Sequence, residues 1–284
     1  MKTTISALAL LAGMQGSLAD SPIQLPLHFE NKIPVVTLRI GDRDLPFTLD
    51  TGASDALYVN EEVEHAIPGL TRTGRQLKSM DLGGKVALNE EVSVRDLVVD
   101  GMHFGTRTGR TLTPWGMSAD GSLPPPRISV LGSHFFDGKK VLFDFSAGRL
   151  TVWNDSSNGL ADVSNWKSIP YERTSEGYVV ALESSMQNYH VVLDSASTIS
   201  LIKRTSIAPS EPETDCDIQF KPGDRCRKLK VRLPGESLAL ELYAMDFPPR
   251  FEADGLVGRA FFDIYQVYLD DVRHVLSVRQ TKTR

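Results

Sequence analysis

The chain carries one ordered series of signals twice, and this constrains its fold more than any other feature. In the first half the apolar run Leu45-Pro46-Phe47-Thr48-Leu49 leads into Asp50-Thr51-Gly52-Ala53-Ser54. Further on come Val130-Leu131-Gly132, then Ser133-His134-Phe135-Phe136, then the segment VLFDFSAGRLTVW. In the second half His190-Val191-Val192-Leu193 leads into Asp194-Ser195-Ala196-Ser197, followed by Leu256-Val257-Gly258, Arg259-Ala260-Phe261-Phe262 and the segment YQVYLDDVRHVLSV. The shared order is apolar strand, Asp-hydroxyl-small, apolar-apolar-Gly, aromatic pair and closing β-hairpin. Small apolar motifs recur by chance in β proteins, but that many matches in one order argue for a duplicated unit. A duplication predicts two related lobes, 20–155 and 160–284, joined at the polar run Asn154-Asp155-Ser156-Ser157-Asn158-Gly159. Each lobe would then have an ordinary size for one core.

The local pattern is β. Apolar and polar residues alternate at Ile23-Leu25-Leu27, Val35-Thr37-Arg39, Val92-Val94 and Leu238-Leu240-Leu242, which is the period of a strand with one face buried. Runs with helical spacing are scarce. Short helices are expected only over Asn60–His65, after Gly132 and after Gly258. With 41% hydrophobic residues in 284, the chain can bury one large core or two ordinary ones. The expectation is an all-β, two-lobed fold with an internal pseudo-twofold repeat.

A carboxylate at the end of a buried strand needs a reason, because a lone ionised group near a core is costly. Two Asp loops facing each other supply it. If Asp50 and Asp194 meet, their like charges cannot both ionise comfortably, and the pair holds one proton. One carboxylate is then a base and the other an acid, and a water between them can be activated to attack a peptide carbonyl without a metal. Thr51 and Ser195 offer equivalent hydroxyls that could bind backbone across the axis. Gly52 permits close backbone approach.

These motifs, LDTGAS at 49–54, LDSAS at 193–197 and the runs ending at Gly132 and Gly258, resemble the pepsin and retropepsin superfamily of aspartic proteases. The resemblance implies a two-lobed acid-protease fold and aspartic endopeptidase activity with Asp50 and Asp194 as the catalytic pair. It gives Thr51, Gly52, Ser195, Ala196 and Ser197 supporting places in the loops, and packs Gly132 and Gly258 beside them. It implies an extended peptide or unfolded protein as substrate, and neither cofactor nor metal. Two departures stand out. Ala53 occupies a place where pepsin-like members carry a hydroxyl, as in a retropepsin loop. Ala196 stands where the family has Gly, and its methyl is tolerable only if the position takes negative φ. That departure motivates the alternative, a catalytically inactive pepsin-like protein that binds protein or peptide. The second Asp loop argues against a third possibility, a single lobe that dimerises to complete its pair. The covering flap is expected over Gln76–Leu88, with a Gly83-Gly84 turn and no Tyr.

The first residues place Lys2 before an apolar stretch from Ile5 to Met14, followed by small residues to Ala19. This reads as a secretory signal peptide over 1–19, with a buried or spanning helix as the other reading. The mature chain would then begin near Asp20, with no room for an inhibitory pro-segment, in the periplasm or outside the cell, as a monomer without stable membrane insertion. Cys216 and Cys226, in a polar, turn-rich stretch, suit a disulfide in an exported chain, while a Zn site remains the other use of the two thiols. The net charge of −5 is mixed along the chain rather than gathered, which speaks against nucleic acid as a partner. The six His residues show no metal-ligand spacing. His134 follows Ser133, but neighbours on a strand point to opposite faces and no nucleophile elbow is present. Trp115 and Pro124-Pro125-Pro126 are expected in a loop near the cleft, with packing the favoured role for Trp115 over substrate binding.

Overall fold

The computed structural model describes residues 21–115, 127–211 and 227–281. Among these, the chain is built from strands, with two short α-helices, Glu61–Ala66 and Arg259–Ile264. Residues 1–19, expected to be a signal peptide, both Cys residues and the Pro124-Pro125-Pro126 run lie outside the described residues. No helix of the described residues is long and apolar enough to cross a membrane.

Tight turns set the register of the first lobe. Asn31 and Lys32 both take positive φ (49° and 70°) between the strands Ile23–Glu30 and Ile33–Ile40. Asp100 and Gly101 do the same (49° and 80°) between Val86–Val99 and Met102–Thr111. Two successive positive φ values give the turn whose twist matches that of paired strands. The strand Ile33–Ile40 turns Val36, Leu38 and Ile40 into the core and leaves Arg39 exposed. Leu240 and Leu242 are core residues of Ala239–Met245, whereas Leu238 precedes that strand and is exposed.

The duplication expected from sequence is visible strand by strand. In the first lobe Arg43–Leu49, which ends at Asp50, pairs in parallel with Val130–Leu131. That short strand pairs antiparallel with Leu57–Val59, which lies parallel to Met102–Thr111. In the second lobe Asn188–Leu193, which ends at Asp194, pairs in parallel with Gly255–Val257. That strand pairs antiparallel with Leu201–Lys203, which lies parallel to Ala239–Met245. The molecule is therefore all-β and two-lobed, and each Asp sits at the same node of its sheet.

The lobes share a third sheet. Ile23–Glu30, Lys140–Asp144 and Arg149–Trp153 from the first half continue, through Val267↔Phe143 and Leu269↔Val141, into Tyr265–Asp270, Val275–Gln280 and Lys167–Ile169 from the second. The segment VLFDFSAGRLTVW forms a hairpin in this sheet, broken by a 3₁₀ turn at Phe145–Ala147 that ends on Gly148 with φ 61°. Above the sheet the two aromatic pairs meet, with Phe136 against Phe143 at 5.7 Å and Phe143 against Phe262 at 6.0 Å between ring centres. Burying rings of this size contributes on the order of 2–3 kcal/mol each, which makes this junction a principal source of interlobe cohesion. Arg173 adds an ion-paired link from the second lobe to Asp137 of the first, and bonds Asp271 at 2.9 Å. The linker is held down: the buried Lys140 ammonium donates to the Asp155 carbonyl at 2.5 Å and the Ser157 carbonyl at 2.7 Å.

Candidate active site

Both Asp loops have the same backbone wiring. The Asp50 N–H donates to the Leu131 carbonyl at 2.9 Å, and the Asp194 N–H donates to Val257 at the same distance. Ala53 N–H returns to the Asp50 carbonyl at 3.1 Å, and Ser197 N–H to the Asp194 carbonyl at 3.3 Å. Ser133 N–H caps Ala53 at 2.8 Å, as Arg259 N–H caps Ser197 at 2.7 Å. These caps require glycine beside them. A Cβ on Gly132 would stand 2.0 Å from the Asp55 carbonyl oxygen, and one on Gly258 would stand 2.4 Å from that of Ser197. Such contacts are far inside van der Waals range, so the apolar-apolar-Gly motif is a packing requirement.

The loops are joined across the pseudo-twofold axis by reciprocal hydrogen bonds. The Thr51 hydroxyl donates to the Leu193 carbonyl at 2.5 Å and accepts from the Ser195 N–H at 3.0 Å. Ser195 mirrors it, donating to the Leu49 carbonyl at 2.8 Å and accepting from the Thr51 N–H at 3.0 Å. All four groups are buried, so each bond also removes the cost of an unpaired polar group. Gly177 backs this junction, since a Cβ there would meet the Thr51 carbonyl at 2.5 Å.

The grip brings the carboxylates together. Asp50 is 8% exposed and Asp194 is half-buried, and the two side chains are close enough to act on one another's ionisation. Asp50 accepts the Gly52 N–H at 3.0 Å. Asp194 accepts the N–H groups of Ala196 at 3.1 Å and Ser197 at 2.9 Å. Burial, followed by the charge of Asp194, holds the Asp50 carboxyl well above the usual carboxylate range. Burial raises Asp194 too, opposed by its two amide donors. Two carboxyls raised together and acting on one another titrate as a pair, which retains a proton more readily than an isolated carboxylate does.

Gly52 and Ala196 both take negative φ, so the methyl of Ala196 creates no backbone strain. Contact is the sharper issue. A Cβ at Gly52 would come 2.9 Å from Cγ of Asp194. The hydroxyl of Ser197 turns away from Asp194 and donates to the Ile199 carbonyl at 2.6 Å. Neither loop therefore has a side-chain hydroxyl bonded to its carboxylate, Ala53 having none to offer.

The hairpin expected over Gln76–Leu88 is present. Leu70–Met80 and Val86–Val99 pair up to Met80↔Val86, and the tip is closed by the Asp81 carboxylate accepting Lys85 N–H at 2.9 Å. Leu82, at this tip, packs against the second-lobe cluster of Val179, Val192, Leu201, Tyr243 and Leu256. The hairpin thus spans from the first lobe to the second. Trp115 packs against Tyr58 in a tilted ring pair, 4.7 Å between centres, and joins Ala53 and Val130, which places it in packing beside the Asp50 loop. Ser133 and His134 lie on a 3₁₀ turn over Ser133–Phe136, the short helix expected after Gly132, which begins where the Ser133 N–H caps Ala53. Ser133 is buried and donates to the Ala53 carbonyl, while His134 points out toward Asp137, so the two form no nucleophile pair. Among the described residues no three His, Cys, Asp or Glu side chains come together as metal ligands. Sequence reasoning did not find Asp55 and Arg110, which tie this hairpin to the Asp50 loop, or Asn89, which ties it to the end of the strand Met102–Thr111.

No family model matches the chain, and no curated protein matches it. Solved structures do. An aspartic proteinase from Irpex lacteus is similar at 11% identity and a TM-score of 0.57, covering 92% of this chain and 98% of that one. Basic 7S globulin from soybean is similar at 12% identity and 0.56, over 92% and 95%. Conglutin gamma, a basic 7S globulin from lupine seeds, is similar at 11% and 0.55, over 92% and 95%. The fold is the two-lobed pepsin-like fold. One neighbour is named as a proteinase and two as globulins, so the likeness carries architecture and not activity.

Proposed function

We propose that the chain is an exported aspartic endopeptidase that hydrolyses extended peptide or unfolded protein with a water activated by Asp50 and Asp194. The observation that carries this reading is the meeting of two equivalently wired Asp loops, cross-linked by reciprocal hydrogen bonds, whose buried carboxyls act on one another and are both held above the usual carboxylate range. Asp194, ionised, takes a proton from the water as its oxygen attacks the peptide carbonyl carbon. Asp50 gives its proton to the carbonyl oxygen, forming a gem-diol. Collapse returns a proton from the diol to Asp50 while Asp194 passes its own to the leaving nitrogen, and the C–N bond breaks. The hairpin reaching across to the second lobe would hold substrate in extended form. The chain would act as a monomer, because each lobe contributes one Asp.

A second reading, a pepsin-like module that binds peptide without cleaving it, is favoured by one observation. The repeat gives Ala196 the place opposite Asp50 that Gly52 holds opposite Asp194, and a Cβ at Gly52 would press on the facing carboxyl. The readings separate on incubation of the purified chain with an unfolded protein from acidic to neutral pH. Cleavage that disappears in both Asp50→Ala and Asp194→Ala supports the enzyme, and cleavage surviving Asp194→Ala removes the dyad. A wild type that binds a transition-state-analogue peptide but never cleaves would establish the binding module.

A further inference from the structure

The hairpin that crosses the cleft has no Tyr, and its tip rests on the second lobe through Leu82 alone among the large apolar residues of the turn. What fixes its height above the Asp pair must therefore lie in its stem. The strand Val86–Val99 is laddered to Met102–Thr111 as far as Glu91↔Arg110, and the Glu90 N–H donates to the Thr111 hydroxyl at 3.0 Å; beyond that ladder two side chains take hold of the stem. Asn89, buried, receives the Ser79 hydroxyl at 2.8 Å and donates to the Thr111 carbonyl at 2.8 Å and the Thr113 hydroxyl at 2.9 Å. This holds the stem to the end of the strand Met102–Thr111.

The other attachment is Arg110, and it reaches further. Parallel pairing sets Arg110 opposite Tyr58, with its guanidinium carbon 5.5 Å from the Tyr58 ring centre. Its Nε donates to Oδ2 of Asp55, and its Nη1 donates to the Lys78 carbonyl in the hairpin stem at 3.2 Å. The Arg110 side chain is 12% exposed, so the ion pair is only weakly screened by solvent. Asp55 belongs to the loop that begins at Asp50. Its own position is fixed, since its N–H donates to the Tyr58 hydroxyl at 3.3 Å and its carbonyl abuts Gly132.

We propose that Arg110 is a positioning residue that sets the hairpin over the Asp pair, one planar guanidinium joining the Asp50 loop to the stem at Lys78. The inference rests on the proteolytic reading above. Arginine suits the task because its fork presents two donors in fixed geometry, whereas a lysine ammonium is a single point on a flexible stem. A merely stabilising ion pair would need Asp55 only; the bond to Lys78 is what couples it to the hairpin. Asn89 keeps the stem attached when Arg110 is replaced, so the variant alters hairpin position more than fold.

The test compares wild type, Arg110→Gln, Arg110→Lys and Asp55→Asn on one peptide substrate, with amide exchange followed over 76–90 and 48–51. Arg110→Gln is expected to raise KM roughly tenfold or more while kcat stays within about threefold, the split of a residue that acts through binding. Arg110→Lys should recover part of the loss, and exchange should quicken over 76–90 but not over 48–51. A folded Arg110→Gln with wild-type KM, or with its whole loss in kcat, overturns the proposal. If Arg110→Gln does not fold, Asp55→Asn decides: raised KM supports it and unchanged KM overturns it. A wild type that neither cleaves peptides nor binds a transition-state-analogue peptide would remove the proteolytic reading and this inference with it. A wild type that cleaves while Arg110→Gln matches it would remove this inference alone.

Discussion

The Asp50 loop and the Asp194 loop reach the same backbone geometry with different residues, and the difference lies in what faces the carboxylates. Thr51 and Ser195 are interchangeable in role because each needs only one hydroxyl that donates to a carbonyl and accepts an amide across the axis. Gly52 and Ala196 are not interchangeable in the same sense. Gly52 leaves its contact with Asp194 open, whereas the repeat puts the methyl of Ala196 at the equivalent position of the other loop. Asp50 is the less exposed of the two and is raised by burial and then by the charge of Asp194; Asp194 is raised by burial, and each carboxyl is opposed by the amides of its own loop. Duplicated loops can thus preserve a grip while differing in what surrounds each carboxyl.

The largest effect should come from removing either member of the pair. Asp50→Asn and Asp194→Asn are each expected to lower kcat by roughly 10⁴-fold or more, the order seen when a group that acts within a catalytic unit is lost. Turnover of a peptide by each purified variant checks this, and appreciable activity in one alone would mean that the loops do not act as a pair. Exchanging the small residues comes next. Gly52→Ala would put a methyl 2.9 Å from Cγ of Asp194 and displace that carboxyl, at an expected cost of about 10²-fold in kcat/KM. Ala196→Gly relieves no backbone strain, so its activity should stay within about fivefold of wild type. A gain of more than tenfold would show that the methyl of Ala196 holds the site back.

What the sequence discloses here follows from how local each signal is. The Asp loops, the Gly caps and the terminal hairpins are readable because each is a contiguous run whose physical demand falls on its own residues. The repeat then multiplies that information, since a match in the second half supports the first. Arg110 is unreadable for the opposite reason. It meets Asp55 and Lys78 only because Leu57–Val59 lies parallel to Met102–Thr111 with Tyr58 opposite Arg110, a register set by the whole sheet. Leu82 likewise reads as a turn residue until the second lobe is brought against it. The alternation at Val35-Thr37-Arg39 marks a strand correctly, yet its companion set Val36, Leu38 and Ile40 supplies the core, because Val35 is buried as well and a short apolar run does not declare its face.

A smaller effect is expected at the grip. Thr51→Ala leaves the Leu193 carbonyl and the Ser195 N–H without their buried partner, and Ser195→Ala does the same to Leu49 and Thr51. Each should destabilise by about 1–3 kcal/mol. The double variant should lose less than the sum, because the four bonds form one network. Chemical denaturation of the three variants measures this, and additive losses would mean that the two halves of the grip are independent.

The subtlest difference between the loops is a pH dependence of stability. The folded Asp50 carboxyl is held above its ordinary value of 3.8, so the folded state binds a proton that the unfolded chain releases. The stability this contributes is fully present below the ordinary carboxylate range and is lost as pH rises through the raised value. Asp50→Asn carries a neutral amide at every pH and escapes that loss. Its stability relative to wild type should therefore grow as pH rises from about 4, by about 1.4 kcal/mol for each unit by which the carboxyl is raised, and level off above the raised value. Thermal unfolding of both proteins between pH 3 and 8 would show the gap open and then hold at a plateau. A gap that is constant across the range would mean that the pair holds no raised carboxyl in the folded protein.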